Sequence, residues 1–147
     1  MTATQISPID RLATLSTQRT ARTDRLHEAT CALLSQLEDH SEVGAAVTVD
    51  ACTLRLVRVR SNIGHTDVWS FSSADGDCVH IEKPVGFEGY LHGDFHAALR
   101  GPSRAHLIAF GQRAGRFVAA LVAREERALA DLASAQASVE SAAQTLA

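Results

Sequence analysis

The residues that break helices set the outline of this chain. Its three prolines fall at positions 8, 84 and 102, and no glycine occurs before Gly44 or after Gly115. Proline and glycine are the strongest interruptions of a helix, so both ends are free to form long helices. Only the middle carries the turns that a sheet requires. The pattern predicts an α+β fold: a long N-terminal helix, an antiparallel β-meander of three to four strands, a short helix and a long Ala-rich C-terminal helix. At 147 residues the chain fits a single domain over 1–147, large enough to bury its own core.

The first helix is expected over 7–40. Ser7 suits the N-cap, Pro8 the first helical position, and Asp10 the positive end of the helix dipole. Ile9, Leu12, Leu26, Leu33 and Leu37 fit alternating three- and four-residue steps, while Ser16, Arg19, Thr23 and Thr30 fill the same stripe. The stripe is apolar at both ends and polar at its waist, as in a helix gripped at two separate places. The meander is expected over 45–83. Within 45–60, Val47/Val49 and Val57/Val59 alternate, either as one strand or as two split near Asp50–Ala51. Trp69 and Phe71 alternate with polar neighbours, Asp75–Gly76 marks a hairpin, and Val79 and Ile81 follow. This spacing assigns Val57, Val59, Trp69, Phe71, Val79 and Ile81 to one core face.

Lys83–Gly86 closes the sheet, and a short helix is expected over 87–100 with Phe87, Leu91, Phe95 and Leu99 on one side. Ser103 can cap the last helix, expected over 103–145. Its first half is broadly apolar, with Leu107, Phe110, Phe117 and Leu121. A second stripe, Gly111, Gly115, Ala119 and Ala123, holds only small side chains. A helical glycine costs about 1 kcal/mol relative to alanine, so close approach of another backbone is expected there. The distal half repeats Ala128, Leu132, Ala135 and Val139 at coiled-coil-like spacing, the pattern of an oligomerisation arm.

A formal charge of −3 gives no chain-wide affinity for polyanions. Arg55, Arg58 and Arg60 gather on one predicted strand as a candidate polyanion contact, but the aromatics that would stack on bases are assigned to the core. Nucleic acid is therefore a disfavoured partner. Cys31, Cys52 and Cys78 are odd in number and form no C-x-x-C pair, which fits free thiols in a reducing, cytoplasmic setting. The N-terminal residues lack the features of a secretory signal, and the most apolar run, 105–123, carries His106, Arg113 and Arg116, so no membrane span is expected.

Cys78 and His80, two apart on a strand, precede His92 and His96, four apart on the predicted short helix. Together they approach a four-ligand zinc pattern, although the first pair is closer than in zinc fingers. With Val79 and Ile81 inward, Cys78 and His80 point away from the core. Glu88, His92 and His96 form a smaller version on one helix flank. Zinc is thus the one candidate cofactor, and no other is expected. No nucleophile elbow, P-loop or dinucleotide fingerprint occurs. The sequence points first to a non-catalytic protein–protein interaction module. It would be a helix-mediated homodimer acting as an adaptor, an assembly factor or a small inhibitor of a larger complex. The alternatives are a metal-dependent enzyme or metal-stabilised binder using His92 and His96, and a nucleic-acid-associated protein using Arg55, Arg58 and Arg60.

Overall fold

The computed structural model describes residues 5–61, 64–81, 90–91 and 100–147. Helix α1 spans Pro8–Glu38 and starts where expected: the Ser7 hydroxyl accepts the Asp10 N–H at 3.1 Å. Strands β1 (Ala46–Val49), β2 (Cys52–Ser61), β3 (Gly64–Ser72) and β4 (Cys78–His80) follow as an antiparallel meander in sequence order. Two strands, not one, occupy 45–60. Asp50 and Ala51 take φ of 50° and 64° between the paired residues Val49 and Cys52. A two-residue turn with positive φ at both positions has the twist that antiparallel strands need. The Asp75–Gly76 turn also forms, with Gly76 at φ 89°.

Tyr90 and Leu91 correct the expected short helix at those two positions. They form β5, paired with Arg60 and Val59 on the edge of β2 that β1 leaves uncovered. The rest of that predicted helix, with Glu88, His92 and His96, lies outside the described residues.

The register places Leu54 and Leu56 of β2 beside Phe71 and Trp69 of β3, and Val79 of β4 beside Phe71. All five are buried, and with Val47, Cys52 and Ile81 they form the sheet's contribution to the core. Val57, assigned inward from the sequence, is only half-buried and lies on the opposite face. Val59 is buried, but outside that cluster, where β5 pairs with β2. One residue of parity moves a whole strand to the other face; in Leu54–Val59 both parities are apolar, so alternation alone could not choose between them.

The C-terminal helix is not continuous. Helix α2 (Arg104–Gly111) and helix α3 (Ala114–Thr145) are separated at Gln112–Arg113, where the Arg113 N–H turns to the Phe110 carbonyl at 2.9 Å. In a straight helix, residues seven apart are about 10.5 Å apart along the axis, yet the Phe110 and Phe117 rings stack at 5.6 Å. The bend folds both onto Phe71, which meets them edge-on at 6.0 and 6.2 Å. Asp50 anchors the far side of the bend, binding Arg113 at 3.2 Å and Arg116 at 2.6 Å.

Helix α1 docks on the same face of the sheet. The Trp69 indole N–H donates to the Leu34 carbonyl at 2.8 Å, and the half-buried Cys31 thiol donates to the Ile81 carbonyl at 3.3 Å. Leu26 lies against Gly111 at the start of this contact, and Leu37 faces Val118 and Leu121 at its end. Helix α1 and the α2–α3 pair therefore cross the sheet in the same direction.

Candidate helical interface

Helices longer than the sheet they cover must leave the core. From Pro8 to Arg25 every residue of α1 is exposed except the half-buried Thr23. From Leu129 onward every residue of α3 is exposed. At 1.5 Å per residue each stretch is about 25 Å long. Because the two helices advance in the same direction, the α1 arm leaves one end of the body and the α3 arm leaves the other.

The arms carry apolar side chains that are largely exposed to water. Ile9 is 78% exposed, Leu12 66%, Leu132 66% and Val139 68%. Scattered exposed leucines are ordinary, whereas a contiguous apolar stripe on a projecting helix marks a contact surface. The α1 arm is also a poor helix on its own. Thr14, Thr17, Thr20 and Thr23 each turn their hydroxyl back to the carbonyl four residues earlier, and threonine is a weak helix former. Isolated helices of this length are marginal in water.

Between the C-terminal end of α1 and the root of the α3 arm lies an apolar groove of about 240 Å³ lined by Leu37, Val118, Leu121, Val122 and Leu129, with His40, Glu125 and Glu126 beside them. It continues the core stripe of α3 outward. Ala128, half-buried, marks the transition, and Leu132, Ala135 and Val139 follow exposed. The small-residue stripe divides. Gly111 is a close approach within the chain, since a Cβ there would sit 3.3 Å from Leu26 Cδ1. Gly115 faces open space, and Ala119 and Ala123 are exposed.

Among the candidate arginines, Arg55 and Arg58 are not brought together. The two-residue period of β2 puts Arg55 on the sheet face away from the helices and Arg58 on the other. Arg58 is paired with Asp67 at 3.0 Å, and Arg60 lies in register with His65 and Tyr90. Cys78 and His80 do share a face, where the Cys78 thiol and the Ser70 hydroxyl are 2.8 Å apart. Among the described residues no group of three or more His, Cys, Asp or Glu side chains could hold a metal ion. No helix is long and apolar enough, among the described residues, to cross a membrane.

One grouping was not foreseen. Ser103 Oγ lies 2.7 Å from His106 Nδ1, and His106 Nε2 lies 3.0 Å from Asp77, which also binds Arg100. The elements are those of a Ser–His–Asp relay, but their capacity is taken up by a helix cap. Ser103 Oγ accepts the His106 N–H at 3.3 Å, and His106 Nδ1 accepts the Ser103 N–H at 3.1 Å. This reciprocal pair is a capping box with histidine in place of the usual Glu or Gln. The imidazole then ties the start of α2 to the β3–β4 turn. A Ser at the cap with His three residues on was the available signal in the sequence; the Asp77 partner, 29 residues away, was not.

No family model, curated protein or solved structure matches the chain.

Proposed function

We propose that this protein is a non-catalytic interaction module that works as a helix-mediated homodimer. In that form it would serve as an adaptor, an assembly factor or a small inhibitor that occludes part of a larger complex. One observation carries the reading: both long helices run about half their length beyond the core with leucine, isoleucine or valine exposed. A second copy is the simplest partner, because twofold symmetry lets one surface satisfy itself. The groove at Leu37, Val118 and Leu129 supports the same reading, since it extends core-like apolar surface to the root of an arm.

The test is removal of residues 130–147, all exposed in the single chain. The shortened protein should keep the fluorescence of Trp69, the single tryptophan, and sediment as a monomer while the full chain sediments as a dimer. A full chain that is monomeric, or a dimer indifferent to the truncation, contradicts the reading.

A further inference from the structure

The two arms are unlike in charge, and they leave opposite ends of the body. From Pro8 to Arg25 the α1 arm carries four arginines, Arg11, Arg19, Arg22 and Arg25, against Asp10 and Asp24. From Val122 onward α3 carries Glu125, Glu126, Asp131 and Glu140 against Arg124 and Arg127. Arg124 is already engaged by Glu42 at 3.2 Å. No ion pair among the described residues engages Arg19, Arg22, Arg25, Glu126 or Asp131. One arm is thus basic and the other acidic, each with unpaired charge near its root.

We propose that two copies pair head to tail, the α1 arm of each lying antiparallel against the α3 arm of the other. This pairing rests on the homodimer reading above and specifies its geometry. Three observations select it. A twofold rotation that places two bodies side by side in opposite directions brings each α1 arm to the end where the partner's α3 arm emerges. That arrangement uses both arms of both copies, whereas an α1–α1 or an α3–α3 contact would leave two arms uncovered. It also sets a basic arm against an acidic one, while like-with-like pairing would set arginine against arginine or carboxylate against carboxylate.

The spacing along the arms agrees. Arg25, Arg22 and Arg19 fall within about 9 Å of the α1 root, as Glu125, Glu126 and Asp131 do at the α3 root. Farther out, Leu12 lies about 20 Å beyond Arg25 and Val139 about 21 Å beyond Glu125. Charges meet charges at the roots, and apolar residues meet toward the tips.

Charge reversal tests the pairing. One variant carries Arg19→Glu, Arg22→Glu and Arg25→Glu; the other carries Glu125→Arg, Glu126→Arg and Asp131→Arg. Each alone should dissociate at least tenfold more readily than the unaltered protein, with Trp69 fluorescence unchanged. Mixed at equal amounts, they should form a one-to-one heterodimer visible by native mass spectrometry, because every arm then faces an opposite charge. Retained self-association of either variant, failure of the mixture to associate, or preferential pairing of the unaltered chain with the first variant would overturn the head-to-tail arrangement while leaving a dimer. If the unaltered protein is itself a monomer, this inference falls together with the functional reading.

Discussion

Ala51 occupies the left-handed region at φ 64°, beside Asp50 at φ 50°. Asp tolerates that conformation, but a β-carbon on Ala51 meets the following carbonyl at a cost of roughly 1–2 kcal/mol. Ala51→Gly should therefore raise stability, although glycine's greater freedom in the unfolded chain offsets part of the gain. The expected net effect is on the order of 0.5 kcal/mol, read as a higher urea midpoint at unchanged slope. Asp50 has a second role. The Arg116 guanidinium hydrogen-bonded to it, aided by Arg113, holds its carboxyl below the usual carboxylate range. A depressed folded-state value means stability that is present above the unfolded value and lost as pH falls through the folded one. Asp50→Asn keeps a residue that accepts positive φ, so it should flatten the loss of stability below about pH 4 without opening the turn. An unchanged acid limb in urea titrations would contradict that role. At the core, Trp69→Phe removes the donor to Leu34 and leaves a small void, for an expected loss of about 1–3 kcal/mol by circular dichroism.

At the scale of elements, helix starts were the most legible part of the sequence. Ser7–Pro8 and Ser103 each announced a cap that the structure contains. Among strand limits, the Asp75–Gly76 turn was legible because glycine accepts positive φ, whereas the split at Asp50–Ala51 was one of two readings, since alanine does not favour that conformation. Two features were not legible, for physical reasons. The break at Gln112–Arg113 follows no proline; it answers to packing of Phe110 and Phe117 on Phe71, a contact between segments about 40 residues apart. The face of β2 was ambiguous because Leu54, Leu56, Val57 and Val59 are apolar at both parities. The glycines now predict different outcomes. Gly115→Ala meets nothing within 4 Å and should stabilise α3 by up to about 1 kcal/mol. Gly111→Ala must displace the end of Leu26, which should erase most of that gain. Thermal melts of the two variants, side by side, read the difference.

Across the whole molecule, the body and the arms obey different rules. The body buries Trp69, Phe71, Phe110 and Phe117 in one cluster, so a chain with few aromatics concentrates them where each contributes most. The arms bury almost nothing within one chain. The amphipathic stripes at Ile9 and Leu12 and at Leu132 and Val139 were visible in the sequence. Their placement at opposite ends was not, because it depends on α1 and α3 crossing the sheet in the same direction. Replacing Leu12 and Leu132 by Asp should leave unfolding of the body within about 0.5 kcal/mol of the unaltered monomer and should weaken self-association strongly, as followed by sedimentation velocity. The most direct measurement is sedimentation equilibrium of the unaltered chain over a concentration series reaching well above micromolar. A homodimer held by its arms predicts a limiting mass of twice the 15.7 kDa of the chain, reached reversibly as concentration rises. A mass that stays at 15.7 kDa throughout, with Trp69 fluorescence showing the body folded, would contradict it.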